Sequence, residues 1–486
     1  MIRDIRGGAV ALAVLLPLAA CGGSGSVDPT RLGLSGVSAF VGGSSGPQAG
    51  QEGFVRGFLG GVAAEEPRAA LVARNVLSAG GTAVDAAVAA GFTLAVTLPS
   101  RAGLGGGGAC LVFDPRRGEV EAVLFPPGAR QSVPAGADRP AAVPMLARGL
   151  FALHTRGGRR PFEELVVPAE QAARLGVEVS RAFATDLAAV SGPLFADPWS
   201  ATAFGGPNGQ PLATGERLAQ PDLAATLATL RTAGVGDLHQ GGLARRLEET
   251  AVPAGGGLTV EEMRASVPRV VPPVQISAGS NDTASFLPMD GGVGAAAAFA
   301  AVNAGAAPAQ AAARGAAVAE AFRARGGDPA QLVAASVPLA SPGPLPASAG
   351  LVVADREGMA VSCAFTMNNL FGTGRIAPGT GVLLAAAPGI GSVVAPLLSA
   401  GLVHNVNVRA FRAGAAGSGQ EMAPAAAGIT LAGMLRGQDA SAAVASVPDP
   451  GRAVAVGCTG YLPSSGDTCS AAADPRGGGL ALGTGR

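Results

Sequence analysis

The 486-residue sequence predicts an α+β fold, in which helices come mostly before residue 330 and strands mostly after it. Hydrophobic residues make up 48% of the chain and charged residues 14%, so the chain can bury a large core. Helical patterns near the start cover residues 69–77, after Ala64-Glu-Glu-Pro-Arg68, and residues 82–96. A strand–turn–strand pattern covers residues 348–366.

The two early helical patterns have recognisable ends. The first reaches Leu77, and Ser78-Ala-Gly-Gly81 ends it, because glycine commonly follows the last helical turn. Thr82 is a predicted N-cap for the second helix, and Asp85 lies in its first turn, where a carboxylate suits the helix dipole. Residues 86–96 are nearly all apolar, so we expect this helix to be buried.

A glycine-rich segment separates the second helix from the next predicted strand. Residues 99–108 are expected to form a loop, and residues 109–113 a strand. In a dinucleotide-binding motif the glycines follow a strand and open a helix, which is the reverse of the order seen here. The segment is therefore a poor candidate for a phosphate-binding loop.

The strand–turn–strand pattern carries hydroxyl residues at its open end. Apolar runs over residues 351–354 and 359–365 flank the turn, Ser348 precedes them, and Thr366 and Asn368 follow. Because both ends of a hairpin meet, we expect Ser348 to lie close to Thr366. A hydroxyl at the start of a strand, with a second hydroxyl and an amide beside it, is typical of N-terminal-nucleophile hydrolases.

The first twenty-one residues are predicted to be a targeting segment. Arg3 and Arg6 form a charged start, residues 8–17 an apolar core, and Leu18-Ala-Ala-Cys21 a bacterial lipoprotein box. Cys21 would then carry lipid on its thiol and become the mature N-terminus. The alternative is an ordinary signal peptide that contains a cysteine by chance.

Residues 22–61 are rich in glycine, serine and proline and are predicted to form a flexible tether. The Ala-rich stretch over residues 295–317 is interrupted by Gly, Pro, Asn and Arg, and no stretch after the targeting segment predicts a membrane span. We therefore expect a protein of the bacterial cell envelope that faces the periplasm and touches the membrane through its lipid anchor only.

Composition excludes several function classes. Basic and acidic residues number 34 each, which leaves no electrostatic footprint for nucleic acid. The sequence contains no lysine, so a catalytic lysine is excluded. No Cys/His spacing is typical of zinc, and we expect neither a metal nor an organic cofactor.

Four further cysteines follow the targeting segment. Cys458 and Cys469 flank a Gly/Pro/Ser-rich loop that a disulfide could close, although both could equally stay free. Cys363 lies inside a predicted buried strand, where a small core residue is the better interpretation.

Phe365-Thr-Met-Asn-Asn-Leu-Phe-Gly-Thr-Gly374 resembles the small-subunit motif of the γ-glutamyltransferases, or glutathione hydrolases, which are N-terminal-nucleophile hydrolases. Two earlier blocks, Gly80-Gly-Thr-Ala-Val-Asp-Ala-Ala-Val88 and Gly103-Leu-Gly-Gly-Gly-Gly108, are similar to the start of the family's large subunit. The resemblance implies a four-layer αββα sandwich. It divides one intertwined domain into a large-subunit-like region, residues 62–347, and a small-subunit-like region, residues 348–486.

The resemblance also implies a mechanism. Family members cut their own chain before a threonine, which then becomes the catalytic N-terminus. Gap-free counting places Ser348 at that position, although relatives read Thr-Thr-His where this chain reads Ser348-Ala-Gly350. By the same resemblance Thr366 would orient Ser348, and backbone N–H groups at Gly417 and Ser418 would form the oxyanion hole.

The substrate pocket departs from the family pattern. Arg130 is the nearest candidate for the arginine that binds the glutamyl carboxylate, Asn368 would contact the substrate, and Ser399 aligns with one serine of a family Ser-Ser pair. Where relatives carry an acid for the glutamyl amine, this chain has Ile390, with Ala387 just before it. An ammonium buried there without an acid would be costly.

Three functional interpretations follow from the resemblance. The first is a self-cleaving amide hydrolase or acyl transferase that acts on γ-glutamyl compounds such as glutathione, its two fragments remaining associated. The second is an acylase for an apolar acyl group on the same scaffold. The third is a non-catalytic lipoprotein that keeps the fold.

Overall fold

The computed structural model describes residues 59–483 except for residues 129, 131–132, 134–136 and 336–347. The predicted lipid-bearing Cys21 and nearly all of the predicted tether lie outside these residues. In the part of the chain that the structure describes, no helix is both long and apolar enough to cross a bilayer.

Helices and strands follow one another throughout the described chain. Its first part contains β1 (Gly60–Ala64), α1 (Pro67–Ser78), α2 (Ala83–Thr97), α3 (Pro99–Ala102), β2 (Gly107–Asp114), β3 (Glu119–Phe125), α4 (Leu146–His154), α5 (Phe162–Leu175), β4 (Val177–Glu178), α6 (Arg181–Leu194), α7 (Pro198–Phe204), β5 (Arg217–Leu218), α8 (Pro221–Ala233), α9 (Asp237–Gln240), α10 (Gly242–Ala251), α11 (Val260–Ala265), β6 (Arg269–Val271), β7 (Val274–Gly279) and β8 (Asp282–Phe286). Its second part contains α12 (Asp290–Asn303), α13 (Pro308–Arg325), α14 (Pro329–Ala334), β9 (Ser348–Asp355), β10 (Ala360–Thr366), β11 (Ile376–Ala377), β12 (Val382–Leu383), β13 (Ser399–Asn405), β14 (Ala410–Ser418), α15 (Ala423–Leu435), α16 (Ala440–Ala445), β15 (Arg452–Leu462), β16 (Cys469–Ala473) and β17 (Leu480–Leu482).

Two antiparallel sheets form the centre of the fold. Among the described residues, the first sheet runs in the order β17-β1-β9-β10-β2-β3-β6, and the second in the order β16-β15-β14-β13-β8-β7. The hairpin β9–β10 therefore lies inside the first sheet, with both strands paired on each side. This position explains why both strands are fully buried.

Alternate residues of each strand face different layers, because successive side chains of a strand point to opposite faces. Val352 and Ala354 of β9 pack between the two sheets with Ala416 of β14, whereas Leu351 and Val353 lie on the opposite face, which α2 covers. The outer face of the second sheet packs against α12, α15 and α16, and α13 packs on α12 and α15. Helices thus cover both sheets, which confirms the predicted α+β fold and its four αββα layers.

The early helices and the hairpin follow the sequence predictions closely. Thr82 caps α2 through its side chain, and the Thr82 backbone N–H donates to Oδ2 of Asp85 at 2.9 Å, which completes a capping box. The β9–β10 ladder pairs Ser348 with Thr366 directly. The predicted hairpin is therefore confirmed, including the meeting of its two hydroxyl residues.

Three boundaries differ from the predictions. Gly60 and Gly61 already belong to β1, although the tether was expected to extend through residue 61. The short helix α3 lies in the segment expected to be a loop, because Pro99 opens it with a preset φ. The composition of residues 326–347, rich in Pro, Ala and Ser, predicts a short linker, but the helix α14 occupies part of this segment, and Asp328 caps it.

Two disulfides join neighbouring strands. The Cys458–Cys469 bond links β15 and β16, as the spacing had allowed. The interpretation of Cys363 as an unpaired core residue is wrong, since its sulfur is bonded to that of Cys110 on β2. The two residues face each other in the β2–β10 ladder, 253 positions apart in sequence, so only the strand pairing reveals the bond.

Asp355 gives the stability of the fold a pH dependence. Burial raises the pKa of Asp355 from 3.8 to about 6, although the backbone N–H groups of Ala83, Glu357 and Met359 donate to its carboxylate and act in the opposite direction. The folded state thus favours the protonated form of Asp355. The contribution of this group to the unfolding free energy is fully present below its pKa in the unfolded chain, and it is lost as the pH rises through about 6.

We expect Asp355→Asn to remove this pH dependence. The difference in unfolding free energy between the wild type and the variant should be about 2–3 kcal/mol larger at pH 4 than at pH 7.5. Urea denaturation at the two pH values measures it, and an equal difference at both would contradict the prediction.

Candidate active site

Ser348 is the first residue of β9 and lies at the open end of the hairpin. Its side chain lies on the same face of the first sheet as a Cβ added at Gly350 would, and that Cβ would contact Val454 and Ala416 of the second sheet. Ser418 lies two residues after Ala416 on β14, so it faces the first sheet from across the sandwich. The two serines therefore lie on the facing surfaces of the two sheets, at the end where the hairpin opens.

A cavity of about 660 Å³ occupies this open end, and Ser348 and Ser418 both line it. Ser348 is only 2% exposed, yet it reaches this space. A nucleophile needs room for an acyl group beside its oxygen, and the cavity supplies that room.

A charged cluster forms another wall of the cavity. Arg101 on α3 donates to both carboxylate oxygens of Asp186 on α6, from Nε at 2.7 Å and from Nη2 at 2.6 Å. Its Nη1 lies 3.2 Å from Oε2 of Glu65, which follows β1. Ser100 adds a 2.7 Å hydrogen bond from its hydroxyl to Asp186.

Burial and pairing shift the pKa values of this cluster in a consistent way. Burial raises the pKa of Glu65, while the positive charge of Arg101 opposes the rise. Burial alone would lower the pKa of Arg101, but Asp186 and Glu65 together raise it. The Arg101 guanidinium therefore stays charged between the two acids, whereas burial makes the ionised form of Glu65 less favourable.

Thr366 and Asn368 stabilise the turn beside Ser348. The Asn368 backbone N–H donates to Oγ1 of Thr366 at 2.8 Å, and Asn368 has a φ of 65°, a conformation that asparagine tolerates. Its side-chain amide donates to the carbonyls of Pro127 and Ala386. Asn368 therefore holds the turn, and its neighbour Asn369 lines the cavity instead.

The predicted oxyanion region only partly reaches the cavity. Gly417 pairs with Ser399 on one side and Ala453 on the other, and a Cβ there would lie 2.1 Å from the Ala423 carbonyl oxygen, so its Cα faces α15. Ser418 and the next residue, Gly419, do line the cavity. Gly419 has a φ of 93°, which a residue with a side chain adopts only under strain.

Arg130 and Ser399 lie away from the cavity, contrary to expectation. The Arg130 side chain is fully buried, and its five N–H groups donate to the Glu262 carboxylate and to the carbonyl oxygens of Ala141, Gly256 and Gly257. The Ser399 hydroxyl lies within donor distance of the carbonyl oxygens of Gly291 and Leu397. Both side chains thus hydrogen-bond to the backbone, and Arg130 has no donor left for a substrate carboxylate.

A second cavity of about 420 Å³ adjoins the first, since Asn369, Leu370 and Ser392 line both. Its wall includes Ile390 and Ala387, the residues that replace the acid of the family pattern. Further lining residues are mostly apolar, among them Val190, Leu194, Phe371 and Val393. Two charged residues, Asp138 and Arg139, also line it, and Asp138 is paired with Arg375 at 2.6 Å.

Sequence reasoning missed the acids and the arginine of the charged cluster. Glu65, Arg101 and Asp186 are far apart in sequence and come together only through the packing of three elements. One signal was available: Arg101 is a charged residue between a nearly all-apolar helix and a glycine-rich segment, in a chain with few charges. Among the described residues, no group of side chains could hold a metal ion.

The architecture is shared with a solved cephalosporin acylase from Bacillus halodurans. The match has a TM-score of 0.71 at 19% sequence identity and covers 90% of this chain and 98% of that one. The two packed antiparallel sheets between helical layers, with a hydroxyl residue opening a central strand, define the N-terminal-nucleophile hydrolase fold.

The profile of the Gamma-glutamyltranspeptidase family matches residues 69–324, more than half of the chain. The chain belongs to the gamma-glutamyltranspeptidase family. It is 35% identical over 218 residues to glutathione hydrolase 7 of Bos taurus, covering 42% of this chain and 32% of that protein. The glutathione hydrolase proenzyme of Bacillus subtilis is 30% identical over 226 residues, covering 42% and 37% respectively. The matches thus span about a third of the length of these relatives.

Proposed function

We propose that this protein is an amide hydrolase or acyl transferase that cuts its own chain before Ser348 and then uses Ser348 as its nucleophile. One observation carries the proposal: Ser348 opens a central strand, faces Thr366 across the ladder and lines a cavity between the two sheets. Membership of the gamma-glutamyltranspeptidase family supports it.

The cleavage step hydrolyses one amide bond. The Ser348 hydroxyl oxygen attacks the carbonyl carbon of Ala347, the C–N bond breaks, and the hydroxyl proton passes to the departing nitrogen. The resulting ester then takes up one water, which returns the hydroxyl to Ser348 and leaves a carboxylate on Ala347. The product is a free α-amino group on Ser348.

That amino group serves as the general base of the catalytic cycle. An α-amine has an ordinary pKa of about 7.7–8, which suits proton transfer near neutral pH. It accepts the hydroxyl proton as Ser348 attacks the substrate carbonyl and passes that proton to the departing amine when the amide C–N bond breaks. The resulting acyl-enzyme ester is then cleaved by water or by an acceptor amine. Thr366 orients the nucleophile, and the backbone at Ser418 and Gly419 stabilises the oxyanion, an effect of roughly 3 kcal/mol per donor elsewhere.

We propose γ-glutamyl compounds, glutathione among them, as the first substrate class. The names of the relatives, glutathione hydrolases in both cases, support this choice. The charged wall formed by Glu65, Arg101 and Asp186 suits a polar acyl group better than a purely apolar surface would.

A second candidate is an acylase for apolar acyl groups. The adjoining cavity of about 420 Å³, with Ile390 and Ala387 on its wall, favours this alternative. An apolar chain there would gain roughly 0.8 kcal/mol per buried CH₂ group. An ammonium would find no acid at Ile390 or Ala387, and the one acid among the lining residues, Asp138, already pairs with Arg375.

Two measurements test the function. Mass spectrometry of the denatured and reduced protein should show two fragments that meet between Ala347 and Ser348. Purified protein should then hydrolyse a γ-glutamyl anilide, and a hexanoyl anilide assayed in parallel separates the second candidate from the first. One uncut chain without activity on either substrate would favour the non-catalytic interpretation.

A further inference from the structure

Two buried polar atoms on the wall of the Ser348 cavity lack a hydrogen-bond partner among the described residues. They are Oε1 of Glu65, a residue 7% exposed, and Oγ of Ser418, a residue fully buried. The Ser418 hydroxyl is near enough to the Glu65 carboxylate to lower its pKa, but the two do not meet at hydrogen-bond geometry. Leaving such atoms unpaired costs about 1–3 kcal/mol each, so the pair suits a donor from outside these side chains.

The strand register places these acceptors beside the Ser348 backbone nitrogen. The Glu65 N–H donates to the Gly350 carbonyl at 3.3 Å, which extends the β1–β9 ladder by one pair. Ser348 lies two residues before Gly350 on the same inner face, so Glu65 and Ser348 are diagonal neighbours. Such neighbours are about 7–8 Å apart, a span that a glutamate side chain covers.

We propose that Glu65 and Ser418 form an acceptor site for the α-ammonium group that cleavage creates on Ser348. The inference rests on the proposed function, because only a cut chain has this group. Glu65 is then a positioning residue: it orients the amine toward the Ser348 hydroxyl and sets the pH at which the amine becomes a free base.

Other charged groups around the cavity leave this role to Glu65. Arg101 faces Glu65 directly, and two of its three hydrogen bonds within the cluster go to Asp186, which is therefore already paired. Asp474 is paired with Arg476, at 2.6 Å. The remaining charged residues that line the cavity are the cations Arg181 and Arg452. An ammonium would be repelled by these cations and attracted by the unpaired oxygen of Glu65.

The sign of the resulting pKa shift follows from charge. A carboxylate within a few ångströms favours the ammonium form, so the pKa of the Ser348 α-amine should lie above its ordinary value of about 7.7–8. The rising limb of kcat/KM against pH should move to higher pH with it. Glu65→Gln should lower both by about one unit or more.

The absence of lysine makes the amine directly measurable. Because this sequence contains no lysine, its primary amines are α-amino groups, and residues 348–486 would carry one, on Ser348. Brief acetic anhydride labelling over a pH series, followed by reduction and mass spectrometry of the small fragment, gives the pKa of this amine. Glu357→Gln is the matched control, since it removes the same charge at the opposite end of the same hairpin.

We expect the amine pKa and the rising limb to shift together in Glu65→Gln and to stay unchanged in Glu357→Gln. An unchanged amine pKa in Glu65→Gln overturns the proposal, and an accompanying rise in KM for a substrate with its own ammonium would assign Glu65 to the substrate. If Glu65→Gln stays uncut, the cut wild type decides: an amine pKa below 7.7 overturns the proposal. Failure of the wild type to cleave overturns the proposed function instead.

Discussion

Ser348→Ala is expected to leave the chain uncut and to lower amide hydrolysis by at least about 10³-fold. Alanine removes the oxygen that attacks both the chain's own carbonyl and the substrate, and without cleavage no α-amine exists to act as base. Loss of a hydroxyl nucleophile elsewhere costs up to roughly 10⁶-fold in kcat. Mass spectrometry of the reduced protein and the γ-glutamyl anilide assay measure the two effects.

Ser362→Ala is the matched control for this change. Ser362 is another buried serine of the same sheet, and its hydroxyl donates to the Ala415 carbonyl at 2.9 Å on the inner face. Its loss should cost about 1 kcal/mol of stability and leave cleavage intact. Cleavage of Ser348→Ala at the same bond would remove Ser348 from the mechanism.

Arg101→Met is expected to destabilise the fold by about 3–5 kcal/mol. Methionine keeps a long apolar stem but removes the charged head, so Glu65 and Asp186 stay buried without their shared cation. An uncompensated buried charge carries a cost of this size. The Asp186 carboxylate alone loses two hydrogen bonds, of 2.6 and 2.7 Å. Urea denaturation at pH 7 measures the loss.

The control is Arg117→Met, which breaks an ion pair of Arg117 with Glu121 at 2.7 Å on a more exposed surface. Exposed pairs contribute about 0–1 kcal/mol, so this variant should remain close to the wild type. Adding Glu65→Gln and Asp186→Asn to Arg101→Met should recover part of the lost stability, because it removes the stranded charges. Equal losses in Arg101→Met and Arg117→Met would show that the cluster is solvated.

The sequence predicts those parts of the site that lie on one continuous segment. Ser348 and Thr366 are joined by a single hairpin, so alternation of apolar residues and a turn suffice to bring them together. Thr82 and Asp85 likewise define the start of α2 through contacts three residues apart. Short-range sequence patterns of this kind are sufficient to predict the local conformation.

Contacts between distant segments were beyond such reasoning. Whether Arg130 faces a cavity or an acid depends on the position of Glu262, which lies 132 residues later. The sequence points to Gly417 and Ser418 as the oxyanion donors, whereas Ser418 and Gly419 line the cavity, because Gly417 and Gly419 read alike in sequence. Only the packing of Gly417 against the Ala423 carbonyl and the left-handed φ of Gly419 separate them.

The bond between Cys110 and Cys363 becomes a covalent link between two polypeptides if the chain is cut at Ser348. Cys110 lies before the cut and Cys363 after it, so the bond joins the two halves of the mature molecule. Dilution could then never separate them, and mixing two variants would yield no hybrids until a thiol reductant was added. Processing without reduction would change the mass only by that of one water.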